Sequence, residues 1–113
     1  MKKILLVSFN NGEIRTRMRE LGFSETIMQC SPNESYVYDN VMSNRPNLVF
    51  IDTCINENLI EKIVSSIEDA KWSFDIDVNT ALIGPELSMK IPGVYLFKSF
   101  EEAREELGKI YAQ

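Results

Sequence analysis

The segment Asn47-Leu48-Val49-Phe50-Ile51-Asp52-Thr53 decides how the rest of the chain is read. Leu48 to Ile51 are continuously apolar, as expected of a short strand covered on both faces rather than on one. A carboxylate, Asp52, follows at once. Such a group is expensive at the end of a buried run unless it is solvated, paired or hydrogen-bonded. The carboxyl end of this strand is therefore expected to open onto a crevice.

Outward from this centre, strand and helix signals alternate. Lys3 to Phe9 (KILLVSF) is a second buried-type run, ended by the turn residues Asn10-Asn11-Gly12. Ile14, Met18 and Leu21 then form one helical stripe, with Gly22 as its stop. Glu25 to Cys30 reads as a strand. In Ser31-Pro32-Asn33-Glu34, Ser31 is placed to cap, Pro32 to take the first helical position and Glu34 to complete a capping box. That helix carries Val37, Val41 and Met42 and ends before Pro46. Past the central strand, Asn56 is a helix cap, and Leu59, Ile60, Ile63, Val64 and Ile67 make a wide apolar stripe. Lys71 to Asn79 is ambiguous between an exposed edge strand and a loop. Thr80 to Gly84 is a further buried strand, and Pro85 to Gly93 leaves room for two helical turns at most. Val94 to Phe97 is the last strand. Ser99 and Glu102 open a capping box for a helix carrying Ala103, Leu107 and Ile110.

This alternation predicts an α/β domain over residues 1–113. Its centre is a doubly wound, five-stranded parallel sheet of flavodoxin-like type, order 2-1-3-4-5, with the fourth helix short or absent. Ligand crevices in such sheets lie beyond the strands' carboxyl ends. The crevice is expected to be lined by Ser8, Phe9, Asn10, Asn11, Asp52, Thr53, Cys54, Gly84, Pro85, Lys98 and Ser99.

Composition narrows the chemistry. The 113 residues contain no His, which excludes a His base, a His-based triad and a His metal ligand. Two cysteines cannot make a Cys-rich zinc site. Cys30 and Cys54 adjoin apolar runs and are expected to be reduced core thiols. No metal and no cofactor are expected. The net charge of -5 argues against phosphate-backbone, and hence nucleic-acid, binding. Residues 1 to 23 nonetheless carry +3, leaving -8 for the remainder. Arg15, Arg17 and Arg19 do not share one helix face, so a solvated surface is favoured over a basic patch for an acidic partner. No run approaches the ~20 apolar residues of a membrane span. A cytoplasmic location without membrane contact is expected.

The pairing of Asp52 with Lys98, which ends the last strand, carries a resemblance. The sequence resembles the receiver domain of two-component response regulators, the CheY-like fold. In that family the third strand runs apolar into a phosphoacceptor Asp, as Pro46 to Asp52 does here, and the fifth ends in Lys-Pro-Phe, here Lys98-Ser99-Phe100. The resemblance spans nearly the whole chain by element order and implies Asp52 as phosphoacceptor and Lys98 as phosphate or ion-pair partner. The departures are equally specific. Receivers place two acids after the first strand to help bind Mg²⁺; this chain has Ser8 and Phe9. The family's Thr or Ser after the fourth strand falls at Gly84-Pro85. A hard divalent cation wants several oxygens, preferably carboxylates, and phosphoryl transfer needs its charge neutralised. The resemblance therefore implies a degenerate or pseudo-receiver: a non-catalytic signalling module that binds a regulatory protein and keeps Asp52 and Lys98 as a structural pair.

Other readings stay open. Asp52 could accept phosphate as in an ordinary receiver. A IIB-type phosphotransferase carrier has a similar sheet but needs a Cys where Ser8 stands. A small-ligand-binding flavodoxin-like domain needs a richer phosphate loop than Asn10-Asn11-Gly12. An anti-sigma-antagonist-like domain would need Ser31 or Ser99 as a phosphorylated residue rather than a cap. Tyr36, Tyr38, Trp72 and Phe74 read as core or rim residues; Trp72 and Phe74, if exposed beside the shortened edge, would instead be interface anchors. With the fourth helix reduced, the edge bearing Ile91, Val94, Tyr95 and Trp72 is expected to bind a partner or a second copy. The competing expectation is that Lys71 to Asn79 folds back over that edge.

Overall fold

The computed structural model describes residues 2–84 and 91–111. Its elements follow in the order β1 (Lys3–Val7), α1 (Asn11–Glu20), β2 (Thr26–Cys30), α2 (Glu34–Asn44), β3 (Leu48–Asp52), α3 (Glu57–Phe74), β4 (Asn79–Ile83), β5 (Tyr95–Phe97) and α4 (Phe100–Tyr111). The five strands form one parallel sheet in the order β2-β1-β3-β4-β5. Both faces are covered, which is why β1 and β3 are apolar at consecutive positions. Ile4 to Val7 and Leu48 to Ile51 are all at most 1% exposed.

Two cores lie on opposite sides of the sheet. One joins Leu5, Val7, Val49 and Ile51 to α2 through Val37 and Val41, and to α3 through Ile60, Ile63 and Ile67. The other joins Ile4, Leu6 and Phe50 to α1 through Met18 and to α4 through Ala103 and Leu107. Alternate residues of each central strand thus feed alternate cores, as the two-residue repeat of a strand requires. Phe50 is the pivot of the second core. Phe23 and Phe100 each meet it edge-on at 5.9 Å, the geometry aromatic quadrupoles favour.

Helix ends explain most boundaries. Gly22 takes φ +91 just past α1, a conformation that costs glycine little and other residues more. Asn56 caps α3 by accepting the Asn58 N–H at 2.9 Å. The cap of α2 is Asn33, not Ser31: its Oδ1 accepts from the N–H groups of Ser35 (2.9 Å) and Tyr36 (3.1 Å). Pro32 therefore precedes the helix instead of opening it.

The segment Lys71 to Asn79 is not an edge strand; the alternative, a loop, is confined to residues 75–78. Lys71 to Phe74 extend α3, and Asp75 ends it in a left-handed conformation, φ 51. Ile76 and Val78 are then buried on the way into β4. Phe74 leans on Tyr38 of α2 at 6.2 Å, while Trp72 is 86% exposed. Of the short helical turns expected over Pro85 to Gly93, residues 85–90, and with them Pro85 of the crevice, lie outside the described residues. Ile91 to Val94 form a turn, closed by the Val94 N–H on the Ile91 carbonyl at 3.2 Å. The Ile110 side chain also lies outside the described residues.

Candidate functional site

The parallel register decides which side chains meet beyond the sheet. Val7 is level with Ile51, Asp52 with Ile83, and Ile83 with Phe97. One step further, Ser8 stands beside Asp52, while Thr53, Gly84 and Lys98 form the next row.

Asp52 is partly buried at the end of β3, and each of its oxygens has a donor. Ser8 Oγ, 1% exposed, donates to Oδ2 at 3.0 Å. The Cys54 backbone N–H donates to Oδ1 at 3.0 Å. Ser8 Oγ in turn accepts the Asn10 N–H at 3.0 Å. The Ser8 hydroxyl thus ties the loop after β1 to the carboxylate of β3. Phe9 turns away and is 73% exposed. Asn10 is exposed. Asn11 binds the end of β2, its Nδ2 donating to the Cys30 carbonyl at 3.1 Å, and its Oδ1 is buried without a partner.

Thr53 and Gly84 interlock. The Thr53 N–H and hydroxyl both donate to the Ile83 carbonyl, at 3.1 and 3.2 Å. The side chain then lies where a residue-84 side chain would begin: a Cβ on Gly84 would sit 1.6 Å from Thr53 Oγ1. Space, not backbone conformation, demands glycine here. Gly84 also donates its N–H to the Phe97 carbonyl at 3.0 Å, which ties the end of β4 to β5.

Lys98 and Asp52 do not form the expected ion pair. Lys98 is exposed, whereas Arg17 does form ion pairs, with Glu20 and with Glu101. The Lys98 backbone N–H donates to Glu102 Oε2 at 2.6 Å. Ser99 is the expected cap of α4: its Oγ accepts the Glu102 N–H at 3.2 Å. The reciprocal half of the box reaches one residue further back, to Lys98. Asp52 instead takes its hydrogen bonds from its own loop and from the loop after β1.

Cys54 corrects a second expectation. Cys30 is buried, but Cys54 is exposed, because it lies in the turn beyond Asp52 and outside the apolar run. Asp52 pushes the Cys54 thiol up from its ordinary range, first by accepting its hydrogen bond and then by its charge. A thiolate two residues past a strand-ending carboxylate is disfavoured; that spacing is the signal that could have revealed the contact.

The donor set suits a divalent cation poorly. Of the residues expected to line the crevice Asp52 alone is a carboxylate, and its neighbours offer a hydroxyl and amides where Mg²⁺ needs several oxygens, carboxylates foremost. Among the described residues no group of three or more His, Cys, Asp or Glu is placed to hold a metal. No helix among them is long and apolar enough to cross a membrane.

No family model and no curated protein matches the chain. Solved structures do. A mutant of the receiver domain of the histidine kinase CKI1 from Arabidopsis thaliana superposes with a TM-score of 0.72 at 14% identity, over 99% of this chain and 90% of that one. The signal receiver domain of NarL from Mycobacterium tuberculosis superposes with a TM-score of 0.58 at 13% identity, over 98% and 93%. The chain has the receiver-domain fold. Within that fold Asp52 ends the third strand and Lys98 follows the fifth, the two positions that carried the resemblance.

Proposed function

We propose that the chain is a non-catalytic signalling module of receiver fold that works by binding a regulatory protein in the cytoplasm. The observation that carries this reading is the Ser8–Asp52 hydrogen bond of 3.0 Å. A neutral hydroxyl occupies the place beside Asp52 where a second carboxylate would be needed to recruit Mg²⁺. Phosphorylation of Asp52 is then slow, because developing charge on a transferred phosphoryl group lacks its metal. Partner binding is the role left to a receiver fold whose transfer chemistry is disabled. The edge formed by β5 and the preceding turn, with Ile91, Val94 and Tyr95, is part of the surface available for it. Tyr95 stacks on Phe97 at 6.0 Å and is 37% exposed.

The test is incubation with Mg²⁺ and acetyl phosphate, read by intact mass. The expected result is no phosphoryl adduct on the wild-type chain. Rapid stoichiometric modification, abolished by Asp52→Asn, would overturn the reading in favour of an ordinary phosphoaccepting receiver, which the partial exposure of Asp52 favours.

A further inference from the structure

The outer face of α3 is a ridge between two open grooves. On the α2 side a groove of about 460 Å³ is lined by Glu34, Glu61, Lys62 and Asp69, with Ser65 and Ser66. On the β5 side a groove of about 300 Å³ is lined by Val64, Ile91 and Pro92. Glu61 and Ser65 line both, so they form the crest. Residues 61, 65, 69 and 72 follow the spacing of a single helix face, and Trp72, 86% exposed, ends that crest. An indole this exposed leaves a large apolar surface in water on the helix face that carries the crest, and aromatic side chains of this kind are frequent interface anchors.

Charge decides what can cover it. Among the described residues lining the two grooves, Glu34, Glu61 and Asp69 stand against Lys62. A second copy docked ridge to ridge would face Glu61 and Asp69 with their own equivalents, and like charges across an interface oppose association. A partner bearing Lys or Arg around an apolar side chain meets both needs: its cations face the acidic groove, and its apolar group fills the hollow of Val64, Ile91 and Pro92.

We infer that the α3 ridge, from Glu61 to Trp72, is a docking surface for a basic amphipathic segment of a partner protein. This rests on the reading of the chain as a protein-binding module, and it adds the surface and the chemistry of the partner. Phosphorylation of Asp52 and docking on α3 are read by different signals, so failure of one is distinguishable from failure of the other.

Trp72 is the only tryptophan of the chain, so its emission reports the ridge directly. The probe is a synthetic Leu/Lys peptide of helical spacing, compared with its Leu/Glu counterpart. The Leu/Lys peptide is expected to shift Trp72 emission to the blue, saturably and less strongly as salt rises. Glu61→Lys with Asp69→Lys is expected to weaken this binding at least about tenfold, as losing charge complementarity at an interface does. Glu13→Lys with Glu105→Lys changes the net charge equally on α1 and α4 and is expected to leave the affinity unchanged. Equal loss in both variants would show only a general attraction to an acidic protein and would overturn the inference. So would an equal response to the Leu/Glu peptide, or no blue shift at all. A blue shift that grows with protein concentration in the absence of peptide would assign the ridge to a second copy instead.

Discussion

At the scale of single residues the crevice is built from contacts that each leave a measurable trace. Gly84 is the tightest. A methyl group there collides with Thr53 Oγ1, and overpacking of this kind costs about 1–3 kcal/mol. Gly84→Ala should therefore lower the urea midpoint, and Thr53→Gly in the same chain should restore much of the difference, since it removes the obstructing atoms. Purely additive losses would show that the two positions do not share that space. Cys54 gives a second trace. Asp52 disfavours its thiolate, and the thiolate is the form that alkylates. Asp52→Asn should speed iodoacetamide labelling of Cys54 at a fixed pH near neutrality. An unchanged rate would mean that the carboxylate does not govern the thiol. Asp52 and Lys98 were legible in the sequence because charges closing apolar runs are conspicuous. That they stay unpaired was not legible, since the donors Asp52 does take come from Ser8 and from a backbone N–H of its own turn.

At the scale of elements, capping decides where helices begin, and capping is where the sequence was most easily misread. Ser31 and Asn33 are both competent caps in the same four residues. A Ser followed three residues later by Glu favours the first, but the structure uses the second, with two hydrogen bonds to one side-chain oxygen. Asn33→Ala should cost about 1 kcal/mol of stability, as loss of a good cap does, and Ser31→Ala much less. Thermal melts of the two variants give the comparison; a larger loss from Ser31→Ala would reverse the assignment. The length of α3 was obscured for a different reason. Phe74, Ile76 and Val78 alternate with polar residues as a strand would, yet the chain is helical as far as Phe74. The alternation straddles a helix end, where two periods overlap.

At the scale of the whole molecule, the order of elements was fully legible from buried-type runs separated by helical stripes. The sheet order is expected from the flavodoxin-like type of doubly wound sheet, and the structure has it. The allocation of helices to faces needed the structure. It shows α1 and α4 sharing one core and α2 and α3 the other. Phe50 holds the first of these cores together, fully buried between Phe23 and Phe100. Phe50→Ala should cost about 3–5 kcal/mol, a large share of the roughly 5–15 kcal/mol that keeps a domain folded. Circular dichroism should show a sharply lowered melting temperature, and Phe50→Leu should retain more of it. A melt barely changed by Phe50→Ala would mean that the α1–α4 side contributes little to cooperativity.

The outward-facing indole on α3 has an optical consequence. The chain has a single tryptophan, and it is 86% exposed in the folded state. Unfolding moves that ring from water to water. Its emission maximum should thus stay nearly constant through a denaturation curve that the peptide-bond signal at far-ultraviolet wavelengths records in full. The position of that indole emission band says little about whether this chain is folded and responds to whatever comes to rest on α3.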